Sequence, residues 1–316
     1  MPANSIDHSF TAKSAVGRSS DPTYAGALSF MRRKYSKNVN GADAIVWGIP
    51  FDAAVTNRPG ARFGPQAIRR ASAIFDSDPQ YPFNRDLFES LSVVDYGDCL
   101  LDSGNHNKTP ATIEREAKKL LKSGAFLLSL GGDHFVTWPL LKAHAEIHGP
   151  LALVQFDAHQ DTWPDDGKRI DHGSFVSRAV KEGIIDEDRS IQIGIRTHAP
   201  ETYSIKILYG HEVEELRAQD IAYAITERTD GHKTYVTFDI DCLDPAFAPG
   251  TGTPVAGGPS SAKILSVLRQ LTKVNIVGAD VVEVAPPYDH ADITAIAGST
   301  VAMYYLGLLA EKKARG

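Results

Sequence analysis

The segment LALVQFDAHQD, residues 151–161, joins an apolar run directly to a group of polar residues. Its first part, Leu151–Phe156, is apolar at nearly every position rather than at alternate positions, which is typical of a strand buried on both faces of a parallel sheet. Asp157, His159 and Asp161 come next. Because open parallel sheets bind ligands at the carboxyl ends of their strands, the segment predicts a buried strand with a polar site at its end.

Similar runs recur along the chain. Six more are short, apolar and rich in β-branched residues: Ala44–Gly48, Leu91–Asp95, Ala125–Ser129, Ser190–Ile195, Thr234–Phe238 and Val274–Val282. Helical patterns separate them, including one that opens at Thr109-Pro110, one over Ser260–Lys273 and an apolar one over roughly Asp292–Lys313. This alternation predicts an α/β fold with a central, mostly parallel sheet and helices on both faces.

The order of these segments predicts one domain. The first residues are rich in Ser, Ala and Gly without clear periodicity, and we interpret residues 1–35 as an N-terminal arm. No linker-like segment or internal repeat divides the remainder, so residues 36–316 are predicted to form a single domain. A chain of this length buries enough surface to fold without a disulfide or a structural zinc ion.

Charge and cysteine content argue against several classes of function. The net charge is −6, and no basic block favours nucleic acid or an anionic membrane as a partner. Cys99 and Cys242 form no CxxC pair, which favours a reduced enzyme. The N-terminus lacks the apolar core of a secretory signal, and no stretch approaches the apolar length that crosses a bilayer. We therefore expect a soluble, cytoplasmic protein.

Metal-binding residue types occur together in three short segments that follow predicted strands. We call them the first, second and third metal segments: Gly131–His134, Asp157–Asp161 and Asp239–Asp241. They supply four carboxylates and two imidazoles: His134, Asp157, His159, Asp161, Asp239 and Asp241. In an extended chain, residues i, i+2 and i+4 point to one side, so the side chains of each segment should converge. Four clustered negative charges repel one another unless cations balance them, and two divalent ions match that charge. Oxygen donors outnumber nitrogen donors and no cysteine takes part, so the ligand types favour Mn²⁺, or Mg²⁺ less well, over a structural zinc site. The order of metal affinities still lets Zn²⁺, Co²⁺ or Ni²⁺ compete for these ligands.

An ordinary structural explanation exists for each segment taken alone. An isolated Asp-x-Asp pair or a single histidine at a strand end is commonly a turn residue or a hydrogen-bonded core group. Three such segments at the same end of three strands favour a binuclear metal hydrolase instead.

These segments resemble the ureohydrolases, the arginase and agmatinase family. The resemblance extends from about Ala42 to the final helix. It rests on RPGARFGPQAIR (58–69), SLGGDHFVTWPLLKA (129–143), LVQFDAHQD (153–161), TFDIDCLDPAFAPGTGTPVAGG (237–258) and GADVVEVAPPYD (278–289). Likeness to bacterial agmatinases in particular rests on IDHGSF (170–175), VKEGIID (180–186) and IQIGIRT (191–197).

The resemblance implies a three-layer α/β/α arginase-type fold that holds two Mn²⁺ ions in each subunit of a homo-oligomer, a trimer or a hexamer. One ion would be bound by four residues: His134, Asp157, Asp161 and Asp239. The second ion would share Asp157 and Asp239 and would add His159 and Asp241.

The resemblance also implies catalytic roles. His172 matches a histidine that shuttles protons or orients the substrate. Glu283 matches a glutamate that receives the guanidinium group, whose parallel donors suit a carboxylate. A hydroxide that bridges the two ions would attack the guanidinium carbon while Asp161 accepts its hydrogen bond. The implied reaction is the hydrolysis of agmatine to putrescine and urea, a step in polyamine biosynthesis.

The choice of agmatine depends on the loop Thr162–Ile170, which follows the second metal segment. This loop lacks the asparagine and serine pattern expected for an α-amino acid head group. Asp165, Asp166 or the face of Trp163 would suit the terminal ammonium of agmatine. If Lys168 and Arg169 instead face the pocket, a substrate with a terminal carboxylate, 4-guanidinobutanoate or 3-guanidinopropanoate, is the alternative.

Two alternative hypotheses about the function stay open. A single-zinc deacetylase of arginase-like fold would not need Asp161 or His134. A non-enzymatic protein that binds a guanidino compound would be expected to lack some of the six ligands, and all six are present.

Overall fold

The computed structural model describes residues 7–19, 21–75 and 79–315. Within these residues nine strands form one sheet, and all neighbouring strands are parallel. The strand order is β1-β3-β2-β4-β9-β8-β5-β6-β7. The strands are β1 (Lys34–Tyr35), β2 (Ala44–Gly48), β3 (Val93–Asp98), β4 (Phe126–Leu130), β5 (Ala152–Phe156), β6 (Ile191–Ile195), β7 (Lys206–Tyr209), β8 (Thr234–Asp239) and β9 (Ile276–Val282).

Helices cover both faces of the sheet. The α-helices of the described residues are α1 (His8–Thr11), α2 (Gly64–Ala71), α3 (Thr109–Leu121), α4 (Thr137–His148), α5 (Phe175–Lys181), α6 (Gly210–Glu215), α7 (Ala218–Thr229), α8 (Ser261–Leu268) and α9 (Ile293–Arg315). Along β5, Leu153 packs in the cluster that contains α3, α4 and α5, whereas Val154 packs in the cluster that contains α7, α8 and α9. Successive residues thus enter opposite cores, and the predicted three-layer α/β/α fold is confirmed.

All seven predicted strands are present, and the prediction missed the two that lie at the edges. β1 has only two residues, and β7 has four, of which one is buried. Their exposed positions weaken the continuous apolar signal by which the interior strands were recognised.

The last helix contradicts the expectation that no stretch approaches the apolar length needed to cross a bilayer. α9 has 23 residues and contains an apolar window of 18 residues with a mean hydropathy of 1.6, which is enough by length and composition to span a membrane. However, 72% of the apolar window is buried inside the fold, where α9 packs on α2 and β9. This burial is typical of the core helix of a globular domain.

The described part of the N-terminal segment packs on the chain itself. The Gly17 amide donates to the Phe88 carbonyl at 2.9 Å, and the Arg33 guanidinium lies 3.8 Å from the centre of the Phe88 ring. β1, at the end of the segment, pairs with β3. Residues 1–6 and 20 lie outside the described residues. The division into an arm, 1–35, and a domain, 36–316, stays a prediction.

Candidate metal centre

The three metal-binding segments meet at one edge of the sheet. His134 follows β4, Asp157–Asp161 follows β5, and Asp239–Asp241 includes the end of β8. These strands lie close together in the order β4-β9-β8-β5, so their carboxyl ends open on the same cavity of about 640 Å³. Its walls include seven of the predicted site residues: His134, His159, Asp161, Trp163, Asp165, His172 and Asp239.

The side chains converge through turns, and the expectation of an extended backbone was wrong. β5 ends at Phe156, and the His159 amide donates to Asp157 Oδ1 at 2.6 Å, which folds the chain back. Asp161 then adopts φ = 51°, a left-handed conformation that is uncommon outside glycine. After β8, the Asp241 amide donates to Asp239 Oδ1 at 2.8 Å and opens a 3₁₀ turn. Each aspartate therefore also organises its own segment.

The first group of candidate ligands surrounds the buried Nδ1 atom of His134. Oδ2 of Asp157 and Oδ2 of Asp161 each lie 3.0 Å from this nitrogen, and Oδ2 of Asp239 lies 3.2 Å from it. Despite these distances, Nδ1 makes no hydrogen bond with any residue that the structure describes. The three oxygens lie around the nitrogen without the alignment that a shared proton requires.

The opposite ring nitrogen of His134 fixes the tautomer. Nε2 lies 2.8 Å from Thr237 Oγ1, and that hydroxyl donates to Asp280 Oδ1 at 2.6 Å. Because the hydroxyl has one hydrogen and gives it to Asp280, it must accept the hydrogen bond from His134 Nε2–H. In the neutral imidazole that a metal ligand requires, Nδ1 would therefore present its lone pair toward the three carboxylates. This arrangement is repulsive without a cation and fits a metal ligand held by a hydrogen bond on its far side.

The second group shares one member with the first. His159 Nδ1 lies 3.1 Å from Asp241 Oδ2 and 3.5 Å from Asp157 Oδ1. The ligand atoms of Asp157, His159 and Asp241 lie close enough to hold one ion, as do those of His134, Asp157 and Asp239. Asp157 thus belongs to both groups, whereas Asp239 belongs to the first.

The raised pKa values of two carboxyl groups in the cluster also indicate a need for cations. Burial and the charge of Asp157 raise the pKa of Asp161 to about 7. Burial and the charges of Asp241 and Asp157 raise the pKa of Asp239 well above its ordinary value. Without a cation, the protein would have to take up protons to relieve this repulsion.

Two buried glutamines that the sequence analysis missed support the second segment. Gln155 Nε2 donates to Asp157 Oδ2 at 2.7 Å, and Gln192 Nε2 donates to Gln155 Oε1 at 2.7 Å. Gln155 and Thr237 each stand two positions before a candidate ligand, on an otherwise apolar strand. A polar residue at that offset faces the same side as the ligand, and this pattern was the signal available in the sequence.

His172 and Glu283 form a pair beside the first group. His172 Nδ1 lies 2.8 Å from Glu283 Oε1, and Thr56 Oγ1 lies 2.9 Å from His172 Nε2. Burial opposes the charged imidazole, but the hydrogen bond to Glu283 and the nearby carboxylates outweigh it and raise the pKa of His172 to about 9. His172 forms part of the cavity wall, whereas Glu283 is fully buried and lies behind it.

Glu283 has two unusual features. Its backbone adopts φ = 61°, a strained conformation for a residue with a side chain. Oε1 accepts the His134 amide at 2.9 Å as well as His172. Oε2 is buried without a hydrogen bond to the described residues. A side chain at Gly252 would place its Cβ 3.3 Å from Oε2, so a glycine there keeps the space beside this oxygen open.

The loop beyond the metal segments differs in part from expectation. Trp163, Asp166 and Arg169 line the cavity, and Lys168 is not part of its wall. Asp165 also reaches the wall, but its carboxylate is bound by the buried Arg178 through two hydrogen bonds of 2.5 and 3.1 Å. The predicted role of Asp165 as a partner of the substrate does not match these contacts, because its charge is already neutralised.

Comparison with known proteins identifies the family. The sequence model of the Arginase family matches residues 42–307. An agmatinase of Chromobacterium violaceum is 50% identical over 313 residues, which are 98% of this chain and 97% of that protein. The crystal structure of a hypothetical agmatinase from Burkholderia thailandensis matches with a TM-score of 0.97 and 48% identity, covering 98% of this chain and 99% of that one.

A relative with another substrate in its name is also similar. The structure of proclavaminate amidino hydrolase from Streptomyces clavuligerus matches with a TM-score of 0.88 and 39% identity, over 92% of this chain and all of that one. The fold, the match over most of the sequence and the full-length relatives agree with the resemblance seen in the motifs, and the chain belongs to the arginase family.

Proposed function

We propose that this protein is an agmatinase, which hydrolyses agmatine to putrescine and urea with two Mn²⁺ ions per subunit. The proposal is supported by agmatinase relatives that are 50% identical over nearly the whole chain. The observation that carries the metal-dependent chemistry is the buried Nδ1 atom of His134, which makes no hydrogen bond with the described residues and has three carboxylate oxygens within 3.2 Å of it.

Six residues would hold the metal pair: His134, Asp157, His159, Asp161, Asp239 and Asp241. The oxygen-rich donor set suits Mn²⁺. When bound, the pair would supply a strong nucleophile from water at neutral pH and would neutralise developing negative charge. Asp157, which belongs to both groups, is the residue best placed to bind both ions.

The other residues act on the substrate and on protons. Asp161, in the cavity wall, would accept a hydrogen bond from the attacking water and so orient it. His172, protonated because its pKa is about 9, would donate a proton toward the departing amine through solvent. The Oε2 atom of Glu283, which makes no hydrogen bond with the described residues, would receive a guanidinium N–H.

Asp166 and the Trp163 ring line the cavity, and both suit an ammonium group, which supports agmatine as the substrate. One observation favours a second candidate, a guanidino-acid hydrolase: Arg169 also lines the cavity and would attract a terminal carboxylate. The two candidates differ only at this end of the substrate.

A substrate panel tests the proposal. Metal-free protein is reconstituted with Mn²⁺, and urea release is measured with agmatine, arginine, 4-guanidinobutanoate and 3-guanidinopropanoate. We expect agmatine to have the highest kcat/KM. A preference for either acid would support the second candidate, and urea release from none of the four would contradict both.

We also propose that the protein works in the cytoplasm as a homo-oligomer, a trimer or a hexamer, and that neither nucleic acid nor a membrane is its partner. An apolar groove of about 330 Å³, in which Phe247, Ile293 and Ile296 are partly exposed, offers a surface for subunit contact. The net charge of −6 supports the absence of an anionic partner.

Changing Thr237 to valine tests the proposed support of the metal ligand His134. Valine keeps the shape of threonine but removes the hydroxyl between His134 Nε2 and Asp280. We expect the dissociation constant for Mn²⁺ to rise by about 10- to 100-fold, the usual cost of losing such a support. Equilibrium dialysis with elemental analysis measures this constant.

Thr137→Val is the matched control. Thr137 also donates to Asp280, at 2.9 Å, but contacts no candidate ligand through its hydroxyl. Equal weakening of Mn²⁺ binding in both variants would show that Asp280 acts through general packing and would contradict the relay.

A further inference from the structure

A buried arginine outside the metal centre holds the loop that forms the far wall of the cavity. Arg178, on α5, has only 4% of its surface exposed. Its Nη2 and Nε atoms donate to the two carboxylate oxygens of Asp165 at 2.5 and 3.1 Å. Nη2 also donates to the Arg169 carbonyl at 2.5 Å. One guanidinium therefore binds the loop at two residues, Asp165 and Arg169, which are four positions apart.

The other side of this guanidinium is fixed to the metal-bearing part of the fold. Its central carbon lies 4.7 Å from the centre of the Trp138 ring and 5.8 Å from that of Phe135, which follows His134 directly. α5 itself is tied to the second metal segment, because the Val176 amide donates to the Asp161 carbonyl at 3.1 Å. Arg178 thus sets the position of the loop relative to the reacting end of the cavity.

These contacts of Arg178 also determine which charged side chains of the loop are available to a substrate. The Asp165 side chain is 3% exposed and paired bidentately, so it offers no free charge to a substrate. Asp166 lies between the two gripped points and, with Arg169 and Trp163, lines the cavity. Asp166 also accepts the amides of Lys168 and Arg169, both at 2.9 Å, so its place depends on the shape of the same loop.

We propose that Arg178 is a positioning residue that determines how the enzyme recognises the distal group of its substrate. By holding Asp165 and the Arg169 carbonyl, it keeps Asp166 and Arg169 at a fixed distance from the site where the guanidinium reacts. The inference rests on the proposed hydrolysis of a guanidino compound, and it assigns to Asp165 a structural role instead of substrate contact.

The test compares a substrate that has a distal charged group with one that lacks it. The first is agmatine, or whichever compound of the panel the wild type prefers. The second is butylguanidine, followed by urea release or, where turnover is slow, as a competitive inhibitor. For Arg178→Met we expect kcat/KM for the charged substrate to fall by about tenfold or more, since misplacement by an ångström is that costly. The value for butylguanidine, or its inhibition constant, should change by less than about threefold. KM should account for most of the loss.

A matched control separates this role from packing. The Lys142 ammonium lies 4.8 Å from the centre of the same Trp138 ring but pairs with Glu114 at 3.3 Å and does not contact the loop. For Lys142→Met, kcat/KM for both substrates should equal that of the wild type. If Arg178→Met does not fold, Arg178→Lys serves instead, since it keeps the charge beside Asp165 but loses the bidentate geometry.

Asp165→Asn provides the decisive comparison. If Asp165 and Arg178 act as one brace, the Asp165→Asn variant and the double variant with Arg178→Met should resemble Arg178→Met alone. If Asp165 instead binds an ammonium directly, Arg178→Met would release its carboxylate and raise kcat/KM for agmatine, which would overturn the proposal. Equal losses for both substrates would overturn it as well. Wild-type protein that releases no urea from any panel compound would refute the proposed function itself. An active Arg178→Met variant whose preference between the two substrates is unchanged would refute only the positioning role of Arg178.

Discussion

The Asp157→Asn variant should lose urea release by on the order of 10³-fold, the upper range for removing one electrostatic stabiliser from an active site. Asp157 lies 3.0 Å from His134 Nδ1 through one oxygen and 3.5 Å from His159 Nδ1 through the other. It is the residue common to both groups of candidate ligands. An amide nitrogen in place of Oδ2 removes a ligand for one ion, and loss of the charge weakens both.

The same variant should also change the metal content. We expect fewer than two Mn²⁺ ions per chain after dialysis, measured by elemental analysis, with cooperative thermal unfolding retained. Asp186→Asn is the matched control, because Asp186 caps a 3₁₀ turn by accepting the Asp188 amide at 3.0 Å and asparagine caps equally well. Wild-type metal content and activity in Asp157→Asn would refute the shared role of Asp157.

The Glu283→Gln variant should lose activity without losing metal. The amide oxygen of glutamine can still accept the His134 amide and His172 Nδ1, so the local structure should persist. The buried Oε2 atom, however, becomes an NH₂ group, and a guanidinium cannot donate to it. We expect kcat/KM to fall by about 10²- to 10³-fold, the usual cost of losing one member of a buried charge pair.

Metal analysis distinguishes this loss from that of Asp157→Asn, because Glu283→Gln should keep the wild-type metal content. Glu212→Gln serves as its control: the Glu212 side chain accepts the Tyr209 amide at 2.7 Å in a capping box, which glutamine preserves. If kcat/KM of Glu283→Gln stays within about threefold of wild type, the Glu283 carboxylate does not receive the guanidinium group.

The sheet and the six metal-binding residues were predictable because they leave local signals in the sequence. Interior strands such as β5 are apolar at nearly every position, and their ends are marked by Asp157 and Asp239. β1 and β7 lie at the edges, where partial exposure removes that signal. The convergence of the ligands was predicted for the wrong reason, since Asp161 is reached through a left-handed turn rather than an extended chain.

Contacts between distant segments could not be predicted from one sequence. Nothing near Asp165 indicates that its carboxylate would be claimed by Arg178, thirteen residues later, rather than by a substrate. The link from His134 through Thr237 to Asp280 joins three strands or loops, and only their order in the sheet brings them together. Such pairings depend on tertiary packing, whereas the residue types that they use are visible beforehand.

The number of metal ions per chain is the most direct test of the proposed binuclear metal centre. Metal-free protein is titrated with Mn²⁺ while bound metal and urea release are measured on the same samples. We predict that two ions bind per chain, with full activity only when both have bound. Saturation at one ion per chain, or urea release that does not depend on added metal, would contradict it, and a single tightly bound Zn²⁺ would favour the deacetylase alternative.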